Sequence, residues 1–379
     1  MQLRAGVYTL LIILAAFQPT GILGQEPTAL FNGKDLSGWV LVNTPPETWS
    51  VKDGMLVCTG KPIGELRTEN MYHNFELELE WRHMVPGGNA GVFVWADDIT
   101  SRGVPFHRSV EVQVLENAYG NSQSHTTHGD IFPIHGAKMT PINGRGGGSR
   151  AFPTEERSKP SPEWNHYRIV CNDGNISLAV NGKVVTQGKE ASPRKGYICL
   201  ESEGGIVHYR NLRIKELPET PVDAKDVAVS NRGYRSIYTG LNLNGWKVNE
   251  AAKEAWLAKD WVLAFDGRLP GEQARMETVE AMQLNGFVMD FRFTEKSEQI
   301  AVTLPGSSDP LVFLAKGDSP YSASLEKVGS WNRIEAIAKS GQVQFIINGK
   351  SHELTRSLGK GSISIVPTGP IELANIFVR

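Results

Sequence analysis

The chain has 379 residues, enough for two domains that each bury a core. Its composition is unbiased, with 40% hydrophobic and 21% charged residues and a formal net charge of −2. That balance argues against a nucleic-acid partner, which calls for a basic face or tail, and leaves a neutral ligand such as a sugar open.

The first residues read as an export signal spanning 1–24. Arg4 supplies the positive start, Val7 to Phe17 form an apolar run too short for a bilayer, and cleavage is expected before Gln25. No later stretch reaches transmembrane length, so a periplasmic or secreted protein, free of the membrane after cleavage, is expected. The three cysteines, Cys58, Cys171 and Cys199, allow at most one internal disulfide. Small buried thiols and a Cys171–Cys199 bridge both stay open.

One unit is written twice. Leu30 to Trp39, ending Leu36-Ser37-Gly38-Trp39, returns as Ile237 to Trp246, ending Leu243-Asn244-Gly245-Trp246. Trp164-Asn165 with Asn181-Gly182-Lys183 returns as Trp331-Asn332 with Asn348-Gly349-Lys350, the spacing from Trp to Asn being 17 in both. Two homologous domains are expected, 26–216 and 236–379, joined by a Pro-containing linker at 217–235.

Each half reads as β-structure. In Phe75 to Trp81 apolar residues alternate with Glu76, Glu78 and Glu80, which places all three glutamates on one solvated face of a strand. Asn181-Gly182 and Asn348-Gly349 lie between apolar runs, a hairpin signal because a type I′ turn needs positive φ twice. Helical periodicity is weak and confined to Glu250–Ala258. The fold class predicted is all-β, with two tandem β-sandwiches.

The copies differ between their landmarks. Trp39 to Trp164 spans 125 residues, whereas Trp246 to Trp331 spans 85. The extra stretch of the first copy carries the strand Ser109–Glu116 and a loop with His125, His128, Asp130 and His135. The second copy has one histidine, His352. Chemistry is therefore expected in the first domain, and packing or accessory binding in a degenerate second one.

On strand Ser109–Glu116 the valines at 110, 112 and 114 belong in the core, so Glu111 and Gln113 face a cleft. Glu116 points inward unless a bulge or the strand's end redirects it. An exposed strand charge is the plainer reading of Glu111. The strand has the look of the Glu-x-Asp-x-x-Glu signature of laminarinase-like retaining glycoside hydrolases, with Gln113 replacing the Asp. The loop's His125, His128, Asp130 and His135 are donors of metal-binding type, but their spacing matches no established ligand pattern, and no cofactor is expected. General acid–base use of an imidazole is favoured. The run Gly144–Arg150 lacks the end of a phosphate loop and reads as a flap.

Together these landmarks resemble the 3-keto-disaccharide hydrolase domain family. The match runs through Leu30–Trp39, Leu66-Arg67-Thr68, Phe75-Glu76-Leu77, Gly88–Val92, Glu111–Glu116, Gly136-Ala137, Glu163-Trp164-Asn165, Asn181-Gly182 and Tyr209-Arg210-Asn211. The resemblance implies a concanavalin-A-like jelly roll that cleaves glycosides already oxidised to a ketone at C3. A separate sugar 3-dehydrogenase would supply that oxidised partner. Carried over by position, it implies catalytic roles for Glu111, Gln113 and Glu116, with His128, His135 or Glu116 as base. It also implies cleft-side contacts from Arg67 and Asn89, beside which Asp130, Lys138 and Glu203 are further candidates for substrate binding. Trp95 is read either as a sugar-stacking ring or as core. Two departures stand out: Leu200-Glu201-Ser202-Glu203-Gly204 lacks the family's histidine, and Lys138 replaces an aromatic. The competing classes are a lectin-like binding protein and a laminarinase-type retaining hydrolase.

Overall fold

The computed structural model describes residues 26–379 apart from 146, 231, 340–341 and 355–356; the expected export segment lies outside them. The described chain forms two tandem jelly-roll β-sandwiches. In the first, an outer sheet runs in the order Lys138–Pro141, Lys183–Ser192, Asn175–Val180, Asn165–Asn172, Phe75–His83, Val207–Glu216, Met55–Cys58, Trp49–Lys52. The facing sheet runs Trp39–Val42, Gly64–Thr68, Tyr197–Ser202, Asn89–Ala96, Ser109–Leu115, Ile131–Ile134. In the second sandwich, a sheet centred on Gly286–Phe293 and Ile371–Val378 faces a shorter one centred on Ser364–Thr368. The weak helical signal resolves into one turn, Glu250–Lys253, capped by Asn249, followed by strand Trp256–Lys259.

Periodicity explains the layers. Along Phe75–His83 burial alternates strictly, and Phe75, Leu77, Leu79 and Trp81 enter the first core with Val110, Val112 and Val114 from the opposite sheet. On the outer face Glu76 pairs with Arg168 at 2.8 Å and Glu80 with Arg210 across neighbouring strands. Such partly exposed pairs contribute about 0–1 kcal/mol each, so they fix register and solubility more than stability.

The repeated motifs have repeated jobs. Gly38 and Gly245 adopt φ +87 and +84, and the next residue's N–H, Trp39 or Trp246, donates to Leu36 or Leu243. Asn181 and Asn348 (φ 48 and 51) each donate to the Asn of the Trp-Asn pair, to Asn165 at 3.0 Å and Asn332 at 2.8 Å. Each also accepts from the backbone N–H of the residue after that Asn, His166 or Arg333. A side chain able to donate and accept at once, and to tolerate positive φ, is what this corner requires.

The cysteines are all free and buried. Cys171 faces the inter-sheet core while Cys199 faces away from it on the other sheet, so no bridge can form. Residues of the linker are bound to the first sandwich: Asp98 binds Arg232 at 2.6 Å, and Asn74 donates to Pro218.

The sandwiches are locked together. Val42 and Ile99 pack against Tyr234, Val288 and Phe377. Beside them the fully buried Asp290 accepts from Arg333, Asn375 and the Gly103 backbone N–H, and Asn43 donates to Asn375 at 2.8 Å.

Candidate active site

The sheet face turned away from the first core carries the residues that alternation sends outward: Glu111 and Gln113, Asn89 and Gly91, Glu65, and Cys199 and Glu201. They floor a cleft of about 400 Å³ whose lining includes Asn89, Glu111, Gln113, Glu201 and Glu203. Its walls are Phe106, Phe132, Ile134 and His135 from the first sandwich, and Trp261 from the second.

The floor is one hydrogen-bonded chain. Gln113 Nε2 donates to Asn89 Oδ1 at 3.0 Å, Asn89 Nδ2 donates to Glu203, and Glu203 shares a hydrogen bond with Glu201. Gly91 makes room for it. A Cβ there would stand 3.0 Å from Glu111 Oε1 and 3.0 Å from Glu201 Oε2, so only glycine lets both carboxyls lean over the strand. Burial and the neighbouring Glu203 push Glu111 up to about 8, against the opposing pull of Arg150. Burial and the charges of Glu111 and Glu203 likewise hold Glu201 well above the usual carboxylate range. Both groups therefore hold their protons to higher pH than an ordinary carboxyl does. Arg150 is fixed by Asp130 at 3.0 Å and lies 3.4 Å over the Phe132 ring.

His135 lines the same cleft. It sits at φ 50 just after strand Ile131–Ile134, stacked on Phe106 at 6.2 Å between ring centres. Burial holds its imidazole below the usual value, so it is neutral and proton-accepting near pH 7.

Of the sequence candidates, the cleft gathers Glu111, Gln113, Asn89, Glu203 and His135. It does not gather Glu116, His128, Arg67, Trp95, Asp130 or Lys138. The strand ends at Leu115, and the Glu116 carboxylate accepts from the N–H groups of Gly87, Ala118 and Ser161 at 2.7–2.9 Å. Burial alone would raise it, but these bonds outweigh burial and hold its pKa low. Glu116→Ala is expected to cost about 1–3 kcal/mol of stability in a denaturant titration while leaving the pH–rate profile unmoved. His128 is bound by Ser158 Oγ at 2.7 Å, and Asp130 by Thr126 and Arg150, so the loop's metal-type donors do not converge. Arg67 donates to Thr68 O and covers the Tyr197 ring at 4.1 Å. Lys138 stands exposed on the edge of the other sheet.

Trp95 is core. A register shift opposite Tyr197–Cys199, with φ 56 at Trp95, turns its ring inward, where its N–H donates to His73 O at 2.8 Å.

Sequence reasoning passed over Glu65, His107, Glu201, Arg150 and Trp261. Strand parity alone could have found Glu201, two residues before Glu203. Among the described residues, Glu65, His107 and Cys199 form a buried set with donor atoms within 4.8 Å of one another, a grouping of metal-ligand type. In it His107 Nδ1 already bonds Glu65, and Cys199 Sγ lies 3.9 Å from that nitrogen.

Residues 26–215 match the family described as the 3-keto-alpha-glucoside-1,2-lyase-like domain. The chain is 27% identical over 241 residues to a 3-keto-disaccharide hydrolase of Bacteroides thetaiotaomicron, covering 50% of this chain and 77% of that one. Among solved structures it is similar to a candidate glycosyl hydrolase of Parabacteroides distasonis (23% identity, TM-score 0.41, covering 51% of this chain and 94% of that one). It is also similar to a Bacillus licheniformis β-glucanase (10% identity, TM-score 0.32, covering 50% and 97%). With an acid-floored cleft on a jelly-roll sheet, the protein is of the glycosidase type. The chain belongs to the 3-keto-alpha-glucoside-1,2-lyase-like domain family.

Proposed function

We propose that the chain cleaves glycosides carrying a ketone at C3. The ketone acidifies the C2 proton. His135 removes it, and the electron pair of the C2–H bond passes through the enolate to form the C1–C2 double bond as the C1–O bond breaks. Protonated Glu111 gives its proton to the departing oxygen. Water then adds across the double bond, its oxygen to C1 and its hydrogen to C2, for net hydrolysis. Asn89, Gln113 and Glu203 hold the ring hydroxyls. The protein acts outside the cytoplasm in this reading, on sugar oxidised by a separate 3-dehydrogenase.

The observation that carries the reading is that Glu111 and His135 line one cleft, where burial raises the pKa of the first and lowers that of the second. Retaining hydrolysis needs one ionised carboxylate as nucleophile. Here burial and mutual repulsion raise Glu111 and Glu201 together, which disfavours that route. The test is 4-nitrophenyl release from paired native and 3-keto glucosides. Release from the 3-keto form alone is expected. Release from the native glucoside points to ordinary hydrolysis, and saturable binding without release points to a lectin.

A further inference from the structure

The second sandwich lacks the histidine loop, yet it closes the first sandwich's cleft. Trp261 stands at the turn between strands Trp256–Lys259 and Val262–Phe265, and lines the cleft with Glu111, Glu203, Phe106 and Phe132. The turn is held in place from both sides. Asp260, at φ 51, accepts from Tyr238 OH at 3.0 Å through its backbone oxygen and from the Ile63 N–H at 3.4 Å through its carboxylate. Gly240, at φ +87, lies so close to Pro62 that a Cβ would meet the proline ring at 2.7 Å. Trp261 Nε1 is buried and has no hydrogen-bond partner in the protein. The N–H is thus shut off from the cleft, and it is the partly exposed ring that lines it. A rigidly mounted aromatic ring in the same cleft as Glu111, Glu201 and Glu203 is a fitting wall for a sugar, whose C–H face is apolar and whose rim carries oxygens.

We infer that Trp261 forms a second sugar subsite, stacking its ring on the sugar across the scissile bond. The substrate is then a disaccharide or longer glycoside rather than a simple alkyl glucoside. The degenerate sandwich acts as a specificity element. The inference rests on the proposed reaction for which bond is cut, but not for the existence of the subsite.

The test uses the full chain and its Trp261→Ala and Trp261→Phe variants in two assays. Calorimetry measures binding of maltose, cellobiose and methyl glucoside, none of them oxidised, and needs no turnover. Kinetics measures KM and kcat on the 3-keto forms of the same sugars. Trp261→Ala is expected to weaken binding of at least one disaccharide about tenfold or more, and to leave methyl glucoside within about twofold. Trp261→Phe, which keeps a smaller ring, falls between. Equal effects on disaccharide and methyl glucoside, no effect on either, or no disaccharide binding by the unaltered chain would each overturn the subsite. If the disaccharide contrast holds in calorimetry while no 3-keto sugar is cleaved, the reaction falls and the subsite stands.

Discussion

Replacing Glu111 with Gln is expected to lower kcat on a 3-keto glycoside by about 10²–10⁴-fold, the usual contribution of a positioned acid. The variant is also expected to erase one limb of the pH profile. In the unaltered chain the acid is lost as Glu111 ionises near 8, so the rate falls above that pH. The rising limb belongs to His135 and lies below the ordinary imidazole value, because burial disfavours its charged form. Gln keeps the shape and a donor but has no proton to give, so only the His135 limb should survive. Stability has its own pH signature. The folded pKa of Glu111 lies above the ordinary 4.5, so the proton is held more tightly in the folded chain. That contribution is complete below about 4.5 and is lost as pH rises through about 8. Thermal melts from pH 4 to 9 should show this decline in the unaltered chain and a shallower one in Glu111→Gln. Matching pH–rate profiles in the two proteins would remove Glu111 from the acid role.

Asp290→Ala is expected to have the largest effect on stability, about 3–5 kcal/mol, as for other buried ion pairs stripped of one partner. Asp290 is fully buried and accepts from Arg333 Nε and Nη2 at 2.6 and 2.8 Å, from Asn375 at 2.7 Å and from the Gly103 N–H at 2.8 Å. Its removal strands a guanidinium at the junction of the two sandwiches. It also frees the segment that begins at Gly103 and continues into the Val104-Pro105-Phe106 wall of the cleft. A raised KM should therefore accompany the lowered melting point. Asp290→Asn, which keeps acceptor oxygen and volume, should fall between. A denaturant midpoint unchanged in Asp290→Ala would show that the junction is held by the apolar cluster around Tyr234 and Phe377 instead.

Much of this was legible in the residue order, where the deciding interactions are local. Alternation along Phe75–His83 and Ser109–Leu115 told inside from outside because successive side chains on a strand point to opposite faces. The recurring Gly-Trp and Asn-Gly pairs marked turns because few residues accept positive φ. The same alternation brought Glu111, Gln113 and Asn89 to one face, and His135 joined them.

The rest turned on groups that lie outside the local pattern. Trp95 has cleft parity, but a register shift against Tyr197–Cys199 gave its ring to the core. Glu116 and His128 are reactive in kind, yet nearby backbone N–H groups and Ser158 occupy them.

The sequence by itself determined the all-β character, the doubled plan and the strand on which Glu111 stands, since these follow from periodicity and turn chemistry within a few residues. Only the tertiary structure decided which acids keep their protons and that a tryptophan from the other sandwich closes the cleft. Burial, charge proximity and domain docking join residues as far apart as Glu111 and Trp261, and no local pattern records that distance closing.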